Sequence, residues 1–503
     1  MVCGTTSDAG KSHVVSALCR LLVRNGVTVA PFKAQNMALN SFVTADGREI
    51  GRAQGVQAMA ARVPAEVAMN PILLKPTSDR TSQVVVNGVP WKTLSAVEYH
   101  AAKPALLGLV LEALADLRAR FDVVICEGAG SPTEINLLSH DIVNLRVADE
   151  AGLGAIVVGD IDRGGVFAAL HGTVDLLPPQ LRRRVKAFVI NKLRGDPALL
   201  LDGCAQLEAA CGVPTIGVLP WLADIALDAE DSMALGGPRP RPMGAQRWDG
   251  DSGWDGDSLD VAVIRLPRLS NITDVDALSI EPGVGVRLVD HAGGLGDPDL
   301  IIIPGTKSTI SDLAWLRGRG IEGAIGALMR SMRPPVVVGV CGGYQMLGRT
   351  IADPDGIEGS PSAARGLGLL DVDTTFVATK VVSQRIGQAL GVQLTGYEIH
   401  HGRTIADVTV SPFALLGDAA EPEGALGRDG MVIGTALHGV FEGDAVRSAL
   451  LQFVATHRGK RRRVSQVSFA EARDAQIERL ADAFEQHVDI ATVCELIATA
   501  AAR

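Results

Sequence analysis

Short apolar runs alternate with helix-length stretches through the first 232 residues, and this alternation limits the folds open to the chain. The strand-like runs are VTVAPFK, FDVVICEG, LGAIVVGDI and VKAFVINK, and helical stretches such as Lys11 to Asn25 and Pro104 to Arg120 lie between them. Strands that alternate with helices predict a parallel sheet with helices on both faces. Hydrophobic residues make up 47% of the chain and aromatic residues only 4%, which suits buried parallel strands. We therefore predict an α/β protein built from doubly wound domains with mainly parallel sheets.

A stretch rich in Gly, Pro and Asp interrupts the alternation. This stretch, LGGPRPRPMGAQRWDGDSGWDGDS, has no periodicity and is typical of a linker. Strands return in LDVAVIRL, VGVRLVD, DLIIIPG and PPVVVGVCGG. The predicted organisation is a first domain 1–234, a linker 235–258, a second domain 259–456 and a C-terminal helical extension 457–503. In the extension we interpret HRGKRRRVSQ as a solvated turn, and we expect the helical stretch 468–502 to dock on the core or on a partner.

Charge and hydropathy exclude several classes of protein. The net charge is −10, which argues against general nucleic-acid binding. No segment has the roughly 18 consecutive apolar residues of a membrane helix, and the N-terminus has no charged region followed by an apolar core, so we expect a cytoplasmic protein. The seven cysteines form no CxxC pair. Whether the protein forms a homo-oligomer stays open.

The segment GTTSDAGKS near the N-terminus is rich in glycine and opens a helical pattern. Successive backbone N–H groups and a helix N-terminus can hold phosphate oxygens, as in nucleotide-binding loops. Lys11 can neutralise the phosphates of ATP, and the Ser12 hydroxyl can bind Mg²⁺. The spacing places glycine at Gly4 rather than at Thr5, and this longer form resembles the loop of dethiobiotin synthetase-like ATPases. The predicted nucleotide-binding residues are Gly4, Thr5, Thr6, Ser7, Asp8, Ala9, Gly10, Lys11 and Ser12.

Polar side chains at the ends of later strands extend this prediction. Glu127 ends FDVVIC, and a carboxylate beside a phosphate loop is well placed for Mg²⁺. Asn191 follows the strand VKAFVI and is either an adenine contact or a turn cap. Lys33 follows VTVAPF and can stabilise charge on the transferred phosphoryl group or pair with a substrate carboxylate. Further polar residues follow strands in the same way: Asp160, Asp162, Arg163 and Lys192.

The second domain contains GVCGG directly after an apolar run. A cysteine between glycines has the G-x-C-x-G form of a nucleophile elbow, in which a tight strand-to-helix turn exposes the side chain. Nearby backbone N–H groups can hold an oxyanion. His438, in GTALHGVFEGD, can act as the base for Cys341, and together they predict acyl transfer through a thioester.

These residues resemble the class I glutamine amidotransferase domain, in which a cysteine releases ammonia from glutamine. The resemblance implies that Gly305, Gly342 and Gln345 line the glutamine pocket and that the loop of Gly305 supplies an N–H for the oxyanion. The class usually has a glutamate two residues after the histidine, where this chain has Val440. Glu442 is a weak substitute, so the third member of the triad is not identified from the sequence.

Nine ordered motifs resemble one family over nearly the whole chain, the glutamine-hydrolysing cobyric acid synthases. They are GTTSDAGKS, PFKAQNMALNS, EGAGSPTEINL, GDIDRGGVFA, INKLRGD, PGTKSTISDL, GVCGGYQMLG, GYEIHHGRT and LHGVFE. The resemblance implies amidation of the b, d, e and g carboxylates of adenosylcobyrinic acid a,c-diamide, with ATP, Mg²⁺ and glutamine. The related cobyrinic acid a,c-diamide synthases are the alternative.

A corrinoid with several carboxylates is anionic, whereas this chain is acidic overall. We therefore expect a local positive rim formed by Lys33, Lys75, Arg80, Arg163 and Lys192. The segment GYEIHHG contains Tyr397, Glu398, His400 and His401. Neighbouring residues on a strand point to opposite faces, so we expect these histidines to have a structural or glutamine-pocket role and not to chelate a metal.

Two further alternatives stay open. A P-loop ATPase that acts as a switch on membranes or DNA would need no Cys341–His438 pair. Alternatively, the loss of the usual glutamate at Val440 would leave free ammonia as the nitrogen source.

Overall fold

The computed structural model describes residues 1–78, 80–222, 225 and 257–501. The chain forms two compact units: the first is Met1–Ala38, Glu49–Leu227 and Arg473–Arg503, and the second is Leu39–Arg48 and Asp228–Ala472. The sequence-based boundaries differ from these units in two places. Ten early residues belong to the second unit, and the last helices belong to the first. The predicted linker 235–258 lies outside the described residues, except for its last two.

The first half of the chain alternates strands and helices only in part as predicted, because two runs of consecutive strands occur before Ala96. Its strands are β1 Val2–Gly4, β2 Val29–Phe32, β3 Gln35–Met37, β4 Ser41–Val43, β5 Glu49–Gly51, β6 Ile72–Pro76, β7 Thr81–Val86, β8 Val89–Ser95, β9 Val123–Cys126, β10 Ala155–Asp160, β11 Val185–Leu193 and β12 Thr215–Pro220. Its helices are α1 Lys11–Arg24, α2 Arg52–Ala60, α3 Ala96–Arg120, α4 Leu145–Glu150, α5 Val166–Asp175, α6 Pro179–Arg182 and α7 Leu201–Cys211.

The main sheet of the first unit is parallel and has the order β1-β10-β11-β12, and the parallel pair β2-β9 adjoins β1 through a single bridge between Val2 and Glu127. All six residues of β10 are buried, as expected for a strand covered on both faces. A second sheet, β3-β6-β7-β8, is mixed. Because all strands of the main sheet run the same way, their carboxyl ends form one edge where ligands bind in such sheets.

Helix α3 starts earlier than predicted. The sequence suggested a start at Pro104, but the helix begins after Ser95. The Ser95 side chain accepts a hydrogen bond from the Glu98 N–H, and the Glu98 carboxylate accepts one from the Ser95 N–H. This capping box satisfies two backbone N–H groups at the helix start, and Pro104 is accommodated inside the helix.

The second half of the chain contains the remaining elements. Its strands are β13 Leu259–Ile264, β14 Val284–Val289, β15 Leu300–Ile303, β16 Val336–Val340, β17 Thr350–Asp353, β18 Ser362–Arg365, β19 Val372–Ala389, β20 Val392–Ala406, β21 Ala414–Leu416, β22 Glu421–Glu423, β23 Ala425–Gly427, β24 Val432–Thr435 and β25 Leu437–His438. Its helices are α8 Thr309–Gly318, α9 Ile321–Leu328, α10 Gly342–Leu347, α11 Asp444–Arg458, α12 Phe469–His487 and α13 Ile490–Ala501, with a 3-10 helix at Ile272–Ile280.

The second unit is organised around the sheet β14-β13-β15-β16-β24-β23, which is parallel except for β23. The mainly parallel α/β prediction is therefore confirmed. A second sheet, β18-β17-β19-β20-β25, is mostly antiparallel and was not predicted. Its long hairpin, β19 and β20, mixes exposed and half-buried residues, so it lacks the continuous apolar runs that revealed the other strands.

The C-terminal helices pack on the first unit. Ile477, Leu480 and Phe484 of α12 are buried in one cluster with apolar residues of α1. The guanidinium of Arg20, fully buried on α1, donates to Asp474 at 2.6 Å and to Glu478. The expected docking on the core is thus observed. Among the described residues, none of the helices combines the length and the apolar character needed to cross a membrane.

The basic run before these helices is not the solvated turn that we predicted. Arg458 and Lys460 bond to the carboxylate of Asp299 at 2.9 and 2.7 Å. The side chain of Arg462 is 1% exposed and bonds to Glu281 at 2.7 Å. Burial would raise the pKa of Glu281, but Arg447 and Arg462 hold it below its usual value. Arg458, Lys460 and Arg462 therefore form ion pairs with carboxylates that are distant in sequence, whereas the side chain of Arg461 is 92% exposed.

Candidate active sites

The predicted phosphate loop connects β1 to α1 in the first unit. Gly10 adopts a left-handed conformation with φ of +99° immediately before α1, and a side chain at this position would meet Asn191 Nδ2 at 2.1 Å. Lys11 is buried, and its ammonium donates to the carbonyls of Thr6 and Ser7 at 2.9 and 3.0 Å. The loop therefore wraps around a lysine ammonium at the N-terminus of a helix, a geometry suited to phosphate.

Glu127 directly follows β9 and contacts residues from α1, from the end of β2 and from α2. Its Oε1 accepts from the Ser12 hydroxyl and from Lys33 Nζ, each at 2.9 Å, and its Oε2 accepts from Gln57. Burial would raise the pKa of Glu127, but Lys33 beside it holds that pKa below the usual value. An ionised carboxylate next to a serine hydroxyl is the donor set that Mg²⁺ prefers. The structure thus brings together Ser12, Lys33 and Glu127.

The two strands on the other side of β1 contribute a second group of contacts. Lys192 Nζ donates to Asp160 Oδ2 at 2.8 Å and to the Asp8 carbonyl at 2.6 Å. Asn191 Nδ2 donates to the Ala9 carbonyl at 2.9 Å, and Arg163 bonds to the Asp8 carboxylate at 3.1 Å. These residues therefore hold the phosphate loop in shape from the ends of β10 and β11.

The expected positive rim is wrong for two of its five members. Lys33 is 1% exposed and paired with Glu127, and Lys75 is 4% exposed and paired with Glu49. Both buried lysines are paired with a neighbouring carboxylate, because an unpaired buried charge is costly. Arg80 is exposed.

Cys341 sits at the end of β16 in the second unit. Its backbone has φ of +50° and ψ of −107°, which is strained for a residue other than glycine. A side chain at Gly343 would lie 1.8 Å from the Ile303 carbonyl oxygen, so only glycine allows α10 to start this close to β15. The sharp turn holds the thiol over the N-terminus of α10, as a nucleophile elbow does.

His438 faces Cys341 from β25, and both are nearly fully buried. The two side chains are close enough for the charge on Cys341 to influence the pKa of His438. The Nδ1 atom of His438 bonds to Asp274 Oδ2 at 2.7 Å, while the other oxygen of Asp274 accepts from the Gly439 N–H at 2.8 Å. The carboxylate that bonds to His438 is therefore that of Asp274 and not that of Glu442, which makes Asp274 the candidate third member of the triad.

Sequence reasoning missed Asp274. It lies on the 3-10 helix Ile272–Ile280, 164 residues before His438. The only signal in the sequence is an acid within the apolar segment NITDVDAL after a predicted strand. No spacing rule connects such an acid to a distant histidine, so only the fold brings them together.

The charges around His438 shift the pKa of its imidazole. Burial would lower the pKa of the imidazole, but the negative charges of Asp274 and of Cys341 together raise it to about 10. The ring of Tyr397 stacks on the imidazole with centroids 5.5 Å apart. His438 is therefore an imidazolium at neutral pH and can donate a proton to a leaving group.

The predicted pocket residues surround this pair. A side chain at Gly305 would lie 2.7 Å from His438 Cε1, and one at Gly342 would lie 2.7 Å from Thr306 Cγ2. Gln345 is buried and its Oε1 is 3.1 Å from the Thr309 hydroxyl.

A carboxyl group that sequence reasoning did not single out lies at the same pocket. Glu358 accepts from the Thr309 N–H at 2.7 Å. Burial raises its pKa to about 7, although Lys307 opposes this shift.

The adjacent histidines have separate partners. His400 Nδ1 lies 2.8 Å from the Gly402 carbonyl and its Nε2 lies 3.3 Å from Glu398, whereas His401 Nδ1 lies 3.1 Å from the Val377 carbonyl. Within residues 1–78, 80–222, 225 and 257–501, no group of three or more His, Cys, Asp or Glu side chains is arranged to hold a metal ion.

Comparison with known families matches both halves of the chain. Residues 1–235 match the CobQ/CobB/MinD/ParA nucleotide binding domain, and residues 260–446 match the CobB/CobQ-like glutamine amidotransferase domain. The chain is 49% identical over 503 residues to a cobyric acid synthase of Mycolicibacterium gilvum, covering 99% of this chain and 96% of that protein. It is 50% identical over 507 residues to one of Rhodococcus jostii, covering 100% and 96%, and 47% identical over 523 residues to one of Sorangium cellulosum, covering 99% and 98%.

A nucleotide-binding domain and a glutamine amidotransferase domain in one chain define an ATP-dependent, glutamine-hydrolysing amide ligase. Identity near 49% over almost the full length then sets the family. The chain belongs to the cobyric acid synthases.

Proposed function

We propose that the chain converts the b, d, e and g carboxylates of adenosylcobyrinic acid a,c-diamide to amides, with one ATP and one glutamine consumed per amide. The observation that carries this proposal is the Cys341–His438–Asp274 triad, in a chain of this family that also has a phosphate loop. A complete triad supports glutamine, rather than free ammonia, as the nitrogen source.

The glutaminase half-reaction starts with Cys341. Its sulfur attacks the side-chain amide carbon of glutamine, and the oxyanion that forms accepts hydrogen bonds from backbone N–H groups at Gly305 and Gly342. His438, held as an imidazolium by Asp274, donates a proton to the leaving ammonia. Water then hydrolyses the thioester, with His438 taking the water proton, and glutamate leaves. Gln345 lines the pocket that holds the substrate.

The synthetase half-reaction uses the edge of the parallel sheet in the first unit. The loop from Gly4 to Ser12 would hold the phosphates of ATP, with Asn191 supporting the loop or contacting adenine. Mg²⁺ would be held by the Ser12 hydroxyl and the Glu127 carboxylate, and when bound it neutralises charge on the transferred phosphoryl group. Lys33 adds a cation beside Glu127. Phosphorylation of the corrinoid carboxylate gives an acyl phosphate, from which ammonia displaces phosphate.

The cellular location and the binding partners of the enzyme are part of the same proposal. We place the enzyme in the cytoplasm, with the corrinoid and glutamine as small-molecule partners and without a nucleic-acid or membrane partner. A homo-oligomer is compatible with this activity. The remaining candidates from the predicted rim for contact with corrinoid carboxylates are Arg80 and Arg163, which are exposed, and Lys192, which is half-buried.

Mass spectrometry of the corrinoid product tests this function. Wild type and Cys341→Ala are incubated with adenosylcobyrinic acid a,c-diamide, ATP, Mg²⁺ and glutamine labelled with ¹⁵N at the side-chain amide. We expect four labelled amides from wild type and none from the variant, until ammonium is added. No mass change with wild type would exclude the assignment, and labelling of cobyrinic acid instead would favour the related a,c-diamide synthase.

A further inference from the structure

The segment Leu39–Arg48 belongs to the second unit, although the residues on both sides of it in the sequence belong to the first. It contains β4, and its chain turns back where the Thr44 N–H donates to the Arg48 carbonyl at 2.8 Å. The reaction proposed above uses none of its residues. Its contacts, however, lead to each member of the triad.

The first contact is with the loop that carries Asp274. The Asn271 side-chain oxygen accepts from the Ser41 N–H at 2.8 Å, and the Asn40 side-chain oxygen accepts from the Ile272 N–H at 3.3 Å. These four residues are buried, and Asn271 has a left-handed backbone with φ of +52° at the start of the 3-10 helix. Asp274 lies on the first turn of that helix. These hydrogen bonds therefore fix the position of the helix start and, through it, the position of the Asp274 carboxylate.

The second contact is a small apolar cluster around Val43. Val43 packs on Tyr397 and Ile399, and all three are buried. Tyr397 stacks on the His438 imidazole, and the Ile399 carbonyl oxygen lies 3.9 Å from Cys341 Sγ. In addition, the Gln384 side chain donates to the Val43 carbonyl at 2.8 Å, which ties β4 to the long hairpin. A shift of Val43 would therefore move the supports of both His438 and Cys341.

We propose that Leu39–Arg48 positions the glutaminase triad, so that the rate of glutamine hydrolysis depends on a segment whose two ends are joined covalently to the ATP-binding part of the chain. Val43 acts through Tyr397 and Ile399, and Asn271 acts through the helix that carries Asp274. These are positioning residues, because they touch neither glutamine nor the reacting atoms. The inference rests on the proposed role of Cys341 in glutamine hydrolysis.

Two variants remove one contact each without forcing the backbone. Val43→Ala deletes the apolar contact to Tyr397, while Val43→Ile keeps it as the conservative variant. Asn271→Gly deletes the acceptor for the Ser41 N–H, and glycine tolerates the left-handed conformation at this position. Val408→Ala is the matched valine control, because Val408 is fully exposed.

Each variant is assayed in full-length protein for glutamine hydrolysis and for amidation of the corrinoid with ammonium chloride as nitrogen donor. We expect Val43→Ala and Asn271→Gly to lower kcat for glutamine hydrolysis about tenfold, with KM for glutamine within about twofold, because the triad is misaligned while the pocket persists. Ammonium-supported amidation should stay within about twofold, and Val43→Ile should restore hydrolysis.

Equal loss of both activities would show general misfolding, and unchanged hydrolysis would show that the segment is passive; either result overturns the inference. Cys341→Ala is measured in parallel. If that variant retains glutamine hydrolysis, the proposed function itself fails, which is a separate outcome from normal kinetics in Val43→Ala.

Discussion

The phosphate loop and the cysteine centre are built in contrasting ways. The loop takes its main groups from one run of nine residues, Gly4–Ser12, and neighbouring strand ends support it. The cysteine centre takes Cys341 and His438 from recognisable motifs but its carboxylate from a third place, Asp274, 164 residues before His438. A phosphate site needs many backbone N–H groups from one loop, whereas a triad needs three side chains that any three elements can supply.

The largest effect should come from removing the nucleophile. Cys341→Ala should lower glutamine-dependent amidation about 10³-fold or more, since no other group can form the thioester. Ammonium-supported amidation should stay within about twofold because the phosphate loop is untouched. Steady-state rates with the two nitrogen donors measure this contrast. A parallel fall in both rates would contradict the separation of the two centres.

Removing the loop lysine should give the opposite pattern. Lys11→Ala should lower amidation about 10²- to 10³-fold with either nitrogen donor, because the phosphates lose a cation in the transition state. Glutamine hydrolysis measured without ATP should be unchanged within about twofold. Normal amidation by Lys11→Ala would show that the loop does not bind the nucleotide phosphates.

The carboxylate of the triad should have a smaller effect with a distinct pH signature. Asp274→Asn keeps an oxygen for the Gly439 N–H but removes the charge, and should lower kcat for glutamine hydrolysis about 10²-fold. In wild type, Asp274 helps to raise the pKa of His438 to about 10. Without that charge the pKa falls, the imidazolium is lost at lower pH, and the alkaline limb of the kcat profile should move to lower pH. If the alkaline limb of the kcat profile stays at the same pH in Asp274→Asn, then Asp274 does not raise the pKa of His438.

The smallest effect should come from the acid near His438 in the sequence. Glu442→Gln should leave kcat for glutamine hydrolysis within about twofold, because the Nδ1 atom of His438 already bonds to Asp274. Side-by-side assays of Glu442→Gln and Asp274→Asn measure the difference. A larger loss in Glu442→Gln than in Asp274→Asn would reverse our assignment of the third triad member.

Features carried by local patterns were predictable from the sequence. The parallel strands, the phosphate loop and the elbow at Cys341 follow from apolar runs and glycine spacing, and the mainly parallel α/β class is confirmed. The residue roles at both centres remain predictions. The pairing of Lys75 with Glu49, the burial of Arg462 and the place of Asp274 were not predictable, because each depends on partners that are distant in sequence or set by the fold.

The return of α12 and α13 to the first unit has a consequence for the order of synthesis. Arg20 is synthesised well before its partners Asp474 and Glu478, which follow it by 454 and 458 residues. Until then, the apolar cluster to which α1 belongs lacks the side chains of Ile477, Leu480 and Phe484. Domains commonly fold during synthesis, N-terminal first. Here the nascent first unit would leave the ribosome with an incomplete apolar core. Its folding would finish only after the amidotransferase domain has been made.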